Sequence, residues 1–120
     1  MTDMNIYSGG CHCGAVRYTA QTELDSLMTC NCSRCKRLGW VMQPVPAVRF
    51  NLIRGADNLT LYHFNTNTID HLFCKTCGIE SFGRGRDENG TETVMINVNC
   101  LDDAPPVNTG AVTHWDGANM

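Results

Sequence analysis

Alternation of apolar and polar positions marks most of the chain as β structure. The stretches AVRYTA (15–20), AVRFNLI (47–53), LTLYHF (59–64), TIDHLF (68–73) and TVMINVN (93–99) are rich in β-branched and aromatic residues, several in period two. That is the pattern of a strand with one face buried. SFGRGR (81–86) reads as one more hairpin arm, because Asn89-Gly90 suits a tight type I′ turn into TETVMINV (91–98). RGADN (54–58) and FNTNT (64–68) fit hairpin connections as well. Pro44 and Pro46 argue against a regular strand or helix around them, and Pro105-Pro106 breaks the chain after the last strong strand. Only SRCKRL (33–38) reads as a helical turn, and no repeat or low-complexity segment interrupts the pattern. The expectation is a mainly-β fold, several antiparallel strands in stacked or partly closed sheets.

Length and composition bound this picture. The 120 residues, 42% of them apolar, suit one domain over residues 1–120 with one core, and charged residues at 18% are too few for a disordered chain. A net charge of −3 gives no global reason to bind nucleic acid or an anionic membrane, since both need a basic surface. MTDMNIYSGG has neither a basic start nor an apolar segment of signal-peptide type, and no apolar run is long enough to span a bilayer. A cytoplasmic protein without nucleic-acid or membrane partners is expected.

Eight cysteines are the feature that changes the picture. They fall as Cys11-x-Cys13, Cys30-x-Cys32-x-x-Cys35, Cys74-x-x-Cys77 and a separate Cys100. Close pairing favours metal chelation, because two thiolates from one tight turn can meet a single ion, whereas structural disulfides usually close longer loops. GGCHCG (9–14) and FCKTCG (73–78) each place a glycine directly after the second cysteine, where a knuckle needs positive φ. Two such knuckles make one tetrathiolate zinc site: Cys11, Cys13, Cys74 and Cys77. Such a site would clamp two distant parts of the chain and contribute on the order of 10 kcal/mol to folding. His12, between two ligands, reads as a solvated side chain.

Cys30, Cys32 and Cys35 remain. Three protein ligands with an exchangeable fourth position is the pattern of catalytic zinc. Cys100 or a histidine among His63, His71 and His114 would close that position if it lay nearby. As part of the alternating run TVMINVNC (93–100), Cys100 reads first as a buried free thiol on a strand. Arg34, Lys36 and Arg37 beside the trio suit an anionic substrate, and they equally suit offsetting the negative charge of a metal trithiolate. Arg17 carries the same two readings. Arg84 and Arg86 read as solvated, and Trp40 with Met42 as an apolar wall beside the trio or as core.

The order GGCHCGAVRY (9–18), CNCSRCKRLG (30–39), FNLIRG (50–55), FCKTCG (73–78), NVNCLDD (97–103) and HWDG (114–117) resembles the glutathione-dependent formaldehyde-activating enzyme family, which includes a centromere-protein branch. The likeness runs from Gly9 to about Gly117. It implies an Mss4-like, zinc-pinned β fold, a structural zinc on Cys11, Cys13, Cys74 and Cys77, and a catalytic zinc on Cys30, Cys32 and Cys35. It also implies a carbon-sulfur lyase that joins the small thiol glutathione to formaldehyde, a small aldehyde, as S-hydroxymethylglutathione. Two other readings stay open: a non-catalytic zinc-binding interaction module, and a redox enzyme of methionine sulfoxide reductase type with Cys100 as its reactive thiol.

Overall fold

The computed structural model describes residues 5–63, 69–105, 110 and 112–115. Ten strands and one helix follow each other along these residues. The strands are β1 Asn5–Gly10, β2 Arg17–Thr22, β3 Met28–Cys30, β4 Met42–Pro46, β5 Phe50–Arg54, β6 Leu59–Tyr62, β7 Asp70–Cys74, β8 Phe82–Arg86, β9 Glu92–Asn97 and β10 Thr113–Trp115; the helix, α1, is Ser33–Leu38. They form a three-stranded sheet in the order β1-β2-β5 and a seven-stranded sheet in the order β10-β3-β4-β9-β8-β7-β6. All neighbours are antiparallel except β10 and β3, which run parallel. This is a mainly-β fold of antiparallel sheets, consistent with the Mss4-like arrangement. No helix among the described residues is long and apolar enough to cross a membrane.

The core lies between the sheets. Val16, Tyr18 and Ala20 from the small sheet meet Val45, Phe82, Val94 and Ile96 from the large one. Tyr18, Phe50 and Phe82 form an aromatic triangle with centroid separations of 4.8 to 5.7 Å. Tilted and edge-on contacts of this kind add to the burial of the rings. The Tyr18 hydroxyl does not strand its polar end: it donates to the Ser81 carbonyl at 2.9 Å.

Several local expectations need correcting. RGADN is not a hairpin connection, because β5 and β6 belong to different sheets; Gly55 and the 3-10 turn Ala56–Asn58 carry the chain from one sheet to the other. Asn89-Gly90 does join β8 to β9, but not as a type I′ turn. Only Gly90 has positive φ, and Asp87 Oδ1 accepts the backbone N–H groups of Asn89 and Thr91 at 2.9 Å each, which stabilises a longer five-residue connection. Pro44 and Pro46 lie inside β4. The strand tolerates their missing donors because β3 pairs with it only at Met42, leaving that side open beyond. Ala47–Arg49 is a 3-10 turn rather than the start of a strand, and Val98–Cys100 likewise ends the run that begins in β9. FNTNT falls on residues 64–68, outside the described ones, as do the last two residues of HWDG, 116 and 117.

Candidate metal centres and the adjoining pocket

The first knuckle follows β1 and the second begins where β7 ends. Gly14 and Gly78 have φ of 83° and 79°, the left-handed conformation that lets each turn close without a Cβ clash. Their closure brings the sulfurs of Cys11, Cys13, Cys74 and Cys77 within 4.8 Å of one another. Cys13 Sγ stands 3.6 Å from Cys11 Sγ and 3.7 Å from Cys74 Sγ. Four thiolates held about 2.3 Å from a shared zinc are about 3.8 Å apart, so the donor set fits such an ion, whereas a disulfide needs sulfurs at about 2 Å. Backbone N–H groups face the sulfurs: Val16 to Cys11 at 3.3 Å, Thr76 and Cys77 to Cys74 at 3.3 and 3.5 Å. The Asn58 side chain adds a donor to Cys74 at 3.4 Å.

Electrostatics in this cluster separate the thiols. Burial pushes Cys74 up, but the amides of Cys77 and Thr76 and the thiols of Cys13 and Cys11 outweigh it, and its pKa falls to about 6. At Cys13 the Ala15 amide acts downward, while burial and the neighbouring sulfurs of Cys11, Cys74 and Cys77 prevail and raise it to about 11. Four sulfurs this close cannot all ionise without a cation among them.

The second cluster is Cys30, Cys32 and Cys35, again with all sulfurs within 4.8 Å. Cys30 ends β3, Cys32 is the N-cap of α1, and Cys35 turns inward from it. The Cys32 sulfur accepts the Cys35 amide at 3.4 Å, so one ligand also satisfies an open N–H of the helix; Gly39, with φ of 73°, closes the other end. Cys30 Sγ accepts the Cys32 amide at 3.4 Å. Burial pushes the Cys35 thiol up to about 12, with the Trp40 indole acting against it; at Cys32 burial is outweighed by the Cys35 amide and the neighbouring thiols, and its pKa is lowered. Among the described residues no histidine or carboxylate joins this trio. His63 pairs with Asp70, His71 with Glu80, and His114 hydrogen-bonds Thr29 Oγ1 at 2.6 Å. Cys100 is remote from the trio in its electrostatics: burial raises its pKa to about 11, assisted by Cys11 and Cys77 of the other cluster.

The three basic residues of α1 have different surroundings. Arg34 Nη2 bonds Glu80 Oε1 at 2.6 Å, and its guanidinium lies 4.6 Å from the centre of the Tyr62 ring. Arg37 donates to the Ser33 carbonyl at 2.9 Å and Lys36 is exposed. Ser33, Arg34, Arg37, Leu38 and Tyr62 line a pocket of about 460 Å³ beside the helix. Arg17 is committed to Asp102, and Arg84 lies over the Phe50 and Phe82 rings.

One group escaped the sequence reading. Glu80 is 1% exposed, and its second oxygen accepts from or donates to His71 Nδ1 at 2.9 Å. A carboxylate so deeply buried needs both partners. Its only signal in the sequence is its place in GIESFG, a charged residue two positions after the glycine of a knuckle. Trp40 belongs to the wall expected beside the trio: it packs with Cys35 and Met42 in a second small core.

The model of the glutathione-dependent formaldehyde-activating enzyme family matches residues 6–115. A crystal structure of a Rhodobacter sphaeroides protein superposes with a TM-score of 0.77 at 35% identity, covering 89% of this chain and 98% of that one. Because that family model spans nearly the whole chain, the protein belongs to the glutathione-dependent formaldehyde-activating enzyme family.

Proposed function

We propose that the protein is a zinc-dependent carbon-sulfur lyase that interconverts glutathione plus formaldehyde and S-hydroxymethylglutathione. One observation carries this reading: three cysteine sulfurs converge at Cys30, Cys32 and Cys35, and no fourth His, Cys, Asp or Glu joins them among the described residues. In the same reading Cys11, Cys13, Cys74 and Cys77 hold a structural zinc. A zinc held by the trio would supply acidity to a thiol brought to its remaining position, favouring thiolate at neutral pH.

The chain's own residues would do the rest. In the forward direction a C–S bond forms between the glutathione sulfur and the formaldehyde carbon, and the proton lost by the thiol ends on the former carbonyl oxygen. Lys36 and Arg37, on the exposed side of α1, would meet the carboxylates of glutathione. Arg34 would face the same pocket while anchored to Glu80. Trp40 and Met42, both buried against Cys35, would keep water from the inner side of the trio.

The test combines metal counting with binding. Protein purified without oxygen is expected to carry two zincs per chain, and Cys32→Ser only one. Calorimetric titration should then show glutathione binding to the wild type and not to the variant. Equal binding to both would sink the proposal and leave a non-catalytic zinc module as the better account. A sulfoxide reductase would require Cys100 as its nucleophile, and its raised pKa disfavours the thiolate that such chemistry needs.

A further inference from the structure

The three sulfurs of the trio are unequally provided with hydrogen bonds. Cys30 receives the amide of Cys32, and Cys32 receives the amide of Cys35. No backbone N–H among the described residues is bonded to the Cys35 sulfur. Beside it lies a donor in the complementary condition: the Trp40 indole is close enough to Cys35 to act on that thiol's pKa, yet its buried Nε1 completes no hydrogen bond of normal geometry among the described residues. Trp40 is 3% exposed and packs in one cluster with Cys35 and Met42.

The ring has little freedom to turn elsewhere. Its far edge meets Gly83, where an added Cβ would stand 3.5 Å from Cη2, and its face is tilted against His71 with 6.3 Å between ring centres. A buried N–H without an acceptor carries its full desolvation penalty. A neutral thiol is a poor acceptor, but a metal-bound thiolate carries charge and accepts well. Metal binding at the trio therefore supplies the acceptor that this indole otherwise lacks.

We propose that Trp40 donates its indole N–H to the Cys35 thiolate in the metal-loaded protein, as a positioning residue that completes one N–H donor per sulfur of the trio. This inference rests on the reading of Cys30, Cys32 and Cys35 as a metal site. Donation to a ligand sulfur draws charge from it and fixes its direction. Loss of such an outer contact is expected to weaken metal retention at the trio about 10-fold.

The full chain, loaded with an NMR-active cadmium isotope, tests it. Expected are two cadmium resonances, and a through-bond coupling from one of them to the Trp40 indole proton across the N–H···S contact. Replacing Trp40 by its benzothiophene analogue keeps the ring's shape and deletes the donor. That protein should hold the trio's cadmium about 10-fold more weakly against a competing chelator, with the tetrathiolate site unaffected. Two cadmium resonances with no coupling to the indole, and equal retention in the analogue, would overturn the inference while leaving the metal site intact. A single cadmium resonance would overturn both, because the thiolate acceptor would not form. Should the analogue fail to fold, the coupling in the unmodified chain decides.

Discussion

Cys100 shows how much one thiol's surroundings decide. Its pKa stands at about 11 against an ordinary 9.0, raised first by burial and then by the charge of Cys11 and Cys77. At neutral pH its thiolate fraction is then about 100-fold below that of an unperturbed cysteine. Alkylation of the native, metal-loaded chain, followed by mass spectrometry, should show Cys100 reacting about 100-fold more slowly than a free thiol at pH 7, with its rate climbing between pH 9 and 11. A folded-state pKa above the unfolded one stabilises fully below pH 9 and loses that contribution as pH rises through 11. Cys100→Ala should therefore flatten this part of the alkaline decline in urea midpoints; an unchanged decline would show that the group does not report on folding. The sequence placed this cysteine on a strand, but the chain leaves β9 after Asn97 although the alternation runs on to Cys100: the Asn97 side chain accepts the Asn99 amide and starts the 3-10 turn Val98–Cys100.

At the scale of elements, α1 is held by its caps and by one ion pair. Six residues are too few for an isolated helix to persist in water. Cys32 caps it, Gly39 ends it, and Arg34 ties it to Glu80, which also bonds His71 of β7. The Glu80–Ser81 segment is itself pinned: the Asn97 side chain donates to the Glu80 carbonyl at 3.1 Å and the Asn97 amide to the Ser81 carbonyl at 3.0 Å. Arg34→Met leaves a carboxylate at 1% exposure with one partner fewer, which should cost about 3 kcal/mol in denaturant unfolding. A loss within 0.5 kcal/mol would mean that water replaces the guanidinium. The helix was legible in the sequence because SRCKRL sits between a cysteine and a glycine that act as caps. Long alternating strands such as β9 were legible for the same reason of pattern. β1, β3, β4 and β10 were not: β3 and β10 have three residues each, too few to show a period, NIYSGG ends in two glycines, and MQPVP contains two prolines. Their strand character comes from partners elsewhere in the sheet, which no local window contains.

Across the whole molecule, the tetrathiolate cluster links the two sheets. Cys11 leaves the small sheet after β1, Cys74 ends a strand of the large one, and a bridge between Gly9 and Leu101 lies close by. Metal there would add a further tie to sheets already joined by the core and by the Tyr18–Ser81 hydrogen bond. Cys74→Ala removes the thiol whose pKa is about 6 and should leave no cooperative unfolding transition at 25 °C, because site energies on the order of 10 kcal/mol match the whole stability of a small domain. Cys32→Ser should retain a cooperative transition, since serine is itself a good N-cap and the trio lies outside the core between the sheets. Circular dichroism melts of both variants measure the contrast, and similar melts would show that the two clusters bear equally on the fold. The ligand sets were legible because C-x-C and C-x-x-C spacings declare themselves locally. Which pairs would meet was legible too, from the glycines at 14 and 78. The pocket wall at Tyr62 and the buried Glu80 were not, because they depend on how β6, β7 and β8 stack beside the helix.

The separation of ligands along the chain also gives the two centres different histories. The trio spans six residues and is complete once Cys35 has left the ribosome, whereas the other cluster waits for Cys77, and synthesis proceeds from the N-terminus. During that interval Cys11 and Cys13 are unmatched thiols in a chain that already displays three more. A nascent chain short of Cys74 holds five of the eight cysteines, so the first cluster to gather in full is the trio.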